Sequence, residues 1–231
     1  MSEMKIPSLI LALVVAILAI SLLSCEKSDF GKAQKTNTVE AYQEFLKKHP
    51  DGKLVPDAKA AIAKLDWEAA QKADTVKAYQ GFLAKHSDSE FAAQAKQKIT
   101  AIEEQEMASK EKKAISNLAT IRAALESYKA ESELKQAKAR VKKNLYIECK
   151  PSPPNGGTDA EPEEWSDAGG FTQIGFQPSD PVLYQYAVSV GDSGTKYTAT
   201  AKGDLDGDGI QVTFTVTNDN PDPVKSPQDE H

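Results

Sequence analysis

The sequence predicts an α+β protein: N-terminal α-hairpin repeats, a long connecting helix, and a C-terminal helix packed on an antiparallel β-meander. Three observations carry this. Residues 30–66 align without gaps to residues 67–103 with 16 identities in 37 positions, which is the mark of an internal duplication. From Ser89 to Lys143 there is neither Gly nor Pro, the two residues that most readily end a helix. After residue 180, three segments alternate apolar and polar side chains, the period of a half-buried strand.

Taken in order, the chain opens on 18 residues, 6–23, that are almost wholly apolar. They follow a short start holding Lys5 and end at Leu22-Leu23-Ser24-Cys25. A short basic start, an apolar run and a small residue at its end are the parts of an export signal. The tetrapeptide resembles the lipobox of bacterial lipoproteins. That resemblance implies that Cys25 becomes the first mature residue and carries a lipid. The alternative is an uncleaved helical anchor, since about 20 apolar residues span a bilayer. Either way the remaining chain is expected outside the cytoplasm, at a membrane of the bacterial cell envelope, facing the periplasm or exterior.

Within the repeats, Val39, Tyr42, Phe45 and Leu46 fall at helical spacing, as do Val76, Tyr79, Phe82 and Leu83. Asn37 and Asp74 are expected to cap these helices, Asn37-x-x-Glu40 having capping-box spacing. His49-Pro50-Asp51-Gly52 ends the first helix, and Pro56 suits the first turn of the next. Each unit therefore reads as helix, turn, helix. The aromatic start, the Ala-Tyr-x-x-Phe-Leu-x-x-His core and the later Ala-x-x-x-Ile resemble tetratricopeptide-like α-hairpin repeats of envelope proteins. Tyr42, Phe45, Tyr79 and Phe82 are expected in the repeat core, a peptide groove being the other reading. His49 and His86 occupy equivalent repeat positions and are assigned no chemistry.

Beyond the repeats, Ile115, Leu118, Ile121, Leu125 and Tyr128 make one apolar helix face. Residues 103–113 read as a solvated helical connector, and the basic cluster at 135–143, Arg140 included, as a solvated helix end, contact with an anionic lipid surface being the alternative. Residues 151–170 read as a loop rich in Pro and Gly. Strands are expected over Val182–Val190, Tyr197–Ala201 and Ile210–Val216, with glycine-rich turns between them. The order of helix, loop and meander resembles the globular part of type IV pilins and pseudopilins, as does Asn117-Leu-Ala-Thr-Ile-Arg-Ala-Ala-Leu-Glu-Ser-Tyr. The apolar half-helix and processing site of a pilin do not precede it. The expected divisions are a lipoprotein signal segment at 1–24, two helical repeats at 25–106, a pilin-like region at 107–220 and a flexible tail at 221–231.

The charge distribution follows the same divisions. The net charge of −6 gives no reason to expect nucleic-acid binding. It hides a basic stretch, 26–147, with 23 cationic and 18 anionic side chains, and an acidic one, 148–231, with 4 and 15.

Asp204-Leu-Asp206-Gly-Asp208-Gly places three carboxylates at alternate positions, as in the first half of a calcium loop. The twelfth position is Thr215, so the usual closing acid is missing. Asp192 is a further ligand only if the fold brings it near. An acidic hairpin turn explains the same residues without a cation. No cofactor is required, and a calcium ion here would be structural. Cys149, the second of two cysteines, is expected as a buried or free thiol, with pairing between chains as the alternative. No nucleophile–base set, phosphate loop or Cys/His metal set stands out. The expectation is therefore a non-enzymatic lipoprotein of structural or protein-interaction role. Its partners would be the membrane, through the lipid anchor, and other envelope or pilus and secretion proteins. No small-molecule substrate is apparent. The alternative is a minor-pilin-like or pseudopilin-like part of a type IV pilus or type II secretion system.

Overall fold

A computed structural model describes residues 25–139, 143–158 and 160–226. The expected signal segment, Arg140 and residues 227–231 lie outside them. The chain is α+β and divides between Glu103 and Glu104 into two compact units.

The first unit is helical: α1 (25–36 as described), α2 (Val39–Lys48), α3 (Val55–Ala73), α4 (Val76–Lys85) and the opening turns of α5 (Ala92–Ala139). Its apolar side chains form two clusters. Ala33, Tyr42, Phe45, Ala58 and Ile62 make the first, with Phe30 packed against it. The second contains Trp67, Ala70, Tyr79, Phe82 and Ala95, with Ile99 packed against it. Adding 37 to each number of the first cluster gives its counterpart in the second, so the duplicated positions do the same work twice. Tyr42, Phe45, Tyr79 and Phe82 are all under 5% exposed and belong to these cores rather than lining a groove. Burying one such ring contributes about 1.5–3 kcal/mol.

The helix starts differ from the sequence expectation. Thr38 and Thr75, in extended conformation, cap α2 and α4 by accepting from the Ala41 and Ala78 N–H groups. Asn37 and Asp74 instead adopt positive φ, 49° and 44°. A capping residue needs extended backbone to turn its oxygen onto the first turn. Asn37 and Asp74 close the preceding helix, where Asn and Asp tolerate the left-handed region best among non-glycines. Their side chains accept from the Tyr42 and Tyr79 hydroxyls. Pro56 sits in the first turn of α3 as expected.

The second unit packs the later part of α5 on a five-stranded antiparallel sheet of order β1-β2-β3-β4-β5. The strands are β1 (Cys149–Ser152), β2 (Gln185–Gly191), β3 (Lys196–Gly203), β4 (Val212–Thr217) and β5 (Val224–Lys225). A short helix, α6 (Phe171–Ile174), lies between β1 and β2. Ala114, Leu118, Ile121 and Leu125 of α5 share one core with Tyr186, Val188, Tyr197, Ala199, Phe214 and Val216. The buried helix positions step by four, three and four residues, which keeps them on one face. Ile115 is one residue off that stripe and is 38% exposed; Ala114 takes its expected place.

Three strands were expected and five are found among the described residues. Val182 does not enter β2. It makes a two-hydrogen-bond bridge with Glu163, within the expected loop. Ile210 likewise precedes β4, which begins at Val212. The strand β1 lies inside a Pro-rich stretch and pairs on one side only, through an irregular register of Cys149 with Val188 and Ser152 with Tyr186. Such edge positions tolerate proline. Strand β5 falls in the expected tail and pairs with Phe214 and Thr215. The expected connector at 103–113 is helical but not wholly solvated. Met107 packs against the second core, Lys110 Nζ donates to the Leu205 carbonyl at 2.6 Å, and Glu111 pairs with Lys225 at 2.6 Å.

Candidate functional site

Three groupings bear on function, and each was named from sequence at least in part. The first surrounds Cys25, which is exposed and free. Residues 25–36 are helical, so Asp29 lies one turn beyond Cys25, 3.8 Å from its Sγ. The next residue, Glu26, is 5% exposed. Its Oε1 accepts from the Leu54 N–H at 2.7 Å, at the N-cap of α3, where backbone donors lack partners. Gly52 is placed so that any Cβ would collide with that Oε1. A side chain at 52 would therefore displace the Glu26 carboxylate. The role of Glu26 was missed from sequence, because nothing local links residue 26 to residue 54.

His49 and His86 end α2 and α4. His49 Nε2 is 3.1 Å from Asp29 Oδ2, and His86 Nε2 is 2.7 Å from Asp66 Oδ2. Each imidazole also lies against the Phe four residues earlier, with ring centres 5.1 and 5.2 Å apart. Hydrogen bonds from Lys32 and His49 hold the Asp29 carboxyl down at about 2. Cys25, Asp29 and His49 each place one ligand atom within 4.8 Å of the others. The position equivalent to Cys25 is Ile62, yet Asp66 and His86 keep the same contact. The histidine–aspartate pair is thus part of how each hairpin is built, with or without a thiol.

The second grouping is the β3–β4 turn. Asp204, Asp206 and Asp208 bring one carboxylate oxygen each within 4.8 Å of the others, so the fold gathers the three expected residues. Asp204 is 2% exposed. Its two oxygens accept from the Gly207 and Gly209 N–H groups at 2.8 and 2.9 Å. Both glycines have positive φ, 80° and 89°, which aims those donors inward. Asp206 and Asp208 each accept from a backbone N–H two residues on, the Asx-turn pattern. Asp192 belongs to the turn at the opposite end of β3, where it pairs with Lys196. It adds nothing to this cluster. Thr215 lies in β4, opposite Val224. Chemically the turn offers three carboxylates, and a calcium ion takes six to eight oxygens in all.

The third is Cys149, 1% exposed at the start of β1. Burial pushes its thiol up to about 12, with Asp167 and Glu148 adding to the effect. Gly170 (φ 111°) lies against it, where a Cβ would meet the Glu148 carbonyl and the Cys149 sulfur. Asp167 organises the same corner by accepting from the N–H groups of Gly169, Phe171 and Thr172 and from the Thr172 hydroxyl. Burial raises its carboxyl, but these hydrogen bonds outweigh it and the net shift is downward.

No protein-family model matches this chain, and no curated protein or solved structure matches it either.

Proposed function

We propose that the protein is a non-enzymatic cell-envelope lipoprotein, a structural or protein-interaction module held to a membrane through Cys25. The observation that carries this is the position of that cysteine. It ends the apolar run 6–23 after Leu-Leu-Ser, and in the folded chain its Sγ is exposed and unpaired with the other cysteine. A thioether-linked lipid needs such access. In this reading the helical hairpins resemble tetratricopeptide-like repeats, the α5–sheet unit is a pilin-like head, and the head offers its surface to other envelope proteins. The test is membrane fractionation of wild type and Cys25→Ser. Release of the variant, with loss of the lipid mass on the mature protein, is the expected result. Unchanged processing and retention would overturn the lipoprotein reading.

The antiparallel sheet stacked on one helix also supports a second reading, a minor-pilin-like or pseudopilin-like subunit. That reading expects the chain to co-purify with sheared filaments; its absence from them would remove it.

A further inference from the structure

We propose that the first hairpin rests directly on the lipid headgroup surface, with no tether between anchor and folded unit, and that Glu26 is the residue that holds it there. The inference rests on the membrane-anchor reading above. A chain separated from its anchor by n loose residues wanders up to about 3.5 Å per residue. Here no residue is loose. Cys25 is already helical, and the adjacent Glu26 is buried and bonded to the Leu54 N–H at 2.7 Å.

That bond ties the anchor point to the start of α3, the end of the hairpin that also holds His49 and the 50–53 turn. Asp29 links Cys25 to His49 across the same end, at 3.8 and 3.1 Å. Gly52, with no side chain, leaves room for the glutamate between them. Whatever plane Cys25 is pinned to must therefore meet this end of the hairpin. The exposed side chains there include Lys27, Lys47, Lys48, Asp51 and Lys53. Lys48 is paired with Glu44 at 2.7 Å, so the surface is mixed in sign with lysine in excess. Its contact with headgroups follows from the placement of the anchor rather than from net charge. The opposite end of α3, a helix of 19 residues and so roughly 27 Å from its first residue to its last, points away from the bilayer.

The test uses the full lipidated chain in phosphatidylcholine vesicles containing a minor share of phosphatidylglycerol. A fluorescent probe is placed at Asp51→Cys or, as the far-end control, at Lys72→Cys. Cys149 is too buried to label, and Cys25 carries the lipid. Flotation measures anchoring, and a headgroup-level quencher lipid measures depth. Several-fold stronger quenching at 51 than at 72 is expected. Glu26→Ala should lower it, Glu26→Gln, which keeps an acceptor oxygen, should preserve it, and a Gly-Ser insert between Cys25 and Glu26 should abolish the difference while flotation persists. The insert leaves the Glu26 seat intact, so it reads the tether even if Glu26→Ala unfolds the hairpin. Chain that floats with equal quenching at both sites overturns this inference alone. Chain that fails to float overturns the anchor reading, and this inference with it.

Discussion

His86 Nε2 lies 2.7 Å from Asp66 Oδ2, joining the end of α4 to the middle of α3. The contact is repeated by His49 and Asp29, 37 residues earlier. Replacing His86 with Ala removes this bond and the contact with Phe82, and should cost the first unit about 1–3 kcal/mol. Thermal melts of His86→Ala and His49→Ala check it. The pH dependence has a definite sign. The Asp29 carboxyl sits near 2 in the folded chain, below its ordinary value. The stability it contributes is present above the ordinary aspartate range near 3.9 and is lost as pH falls through about 2. Asp29→Asn should flatten acid unfolding of this unit in that window.

The caps give a second test. Thr38→Ala and Thr75→Ala each leave a first-turn N–H without its acceptor and should cost about 1 kcal/mol. Asn37→Gly, at a residue with φ of 49°, should cost less than either threonine change, because glycine adopts that conformation freely and only the long 3.3 Å bond from the Tyr42 hydroxyl is lost. Urea titrations of the three variants rank them. A larger loss at Asn37 than at Thr38 would return the capping role to Asn37.

The acidic turn separates in the same way. Asp204→Ala removes the buried acceptor of the Gly207 and Gly209 N–H groups, and should cost about 1–3 kcal/mol in all. Asp206→Ala, at an exposed position, should cost far less. Calcium titration adds an independent readout. A melting temperature that rises with Ca²⁺ in wild type and not in Asp206→Ala identifies a cation site. No shift in either protein leaves the carboxylates as turn caps alone.

Two neighbouring tyrosines should respond oppositely to loss of their hydroxyls. Tyr186 accepts from Asn117 Nδ2 at 2.9 Å, whereas the buried Tyr184 hydroxyl has no partner among the described residues. Tyr186→Phe should destabilise by about 0.5–1.5 kcal/mol. Tyr184→Phe should be neutral or stabilising, because it removes a desolvated group that gains nothing in return. Equilibrium unfolding of the two variants decides it.

Cys149 should be inert. With its thiol pushed up to about 12 and its side chain in the core, Cys25→Ser protein should resist alkylation at pH 8 when folded and react fully in denaturant. Rapid labelling of the native protein, or a disulfide-linked dimer, would contradict its placement.

Much of this architecture is legible because it is local and periodic. The duplicated aromatic positions, the α5 stripe from Leu118 to Leu125 and the alternation through β3 and β4 each declare themselves within a few residues. What the sequence concealed depends on long-range pairing or on backbone conformation. The cap at Thr38 rather than Asn37 turns on a single φ value. The strand β1 lacks alternation and contains Pro151, so only its pairing with β2 reveals it. The acidic turn was visible as a motif, but the engagement of both Asp204 oxygens by glycine N–H groups was not. The bonds from Glu26 to Leu54 and from Asp29 to His49 span 28 and 20 residues, and no spacing rule connects them.

The borders of the sheet have a consequence for assembly. Along β1, Pro151 supplies no N–H and the register breaks between Cys149 and Ser152. At the other border, among the described residues, β5 consists of Val224 and Lys225, with Lys225 drawn to Glu111. Neither rim presents the long, regular row of donors and acceptors that an incoming strand would template on. Strand-to-strand addition of a second copy at these two borders is thereby discouraged.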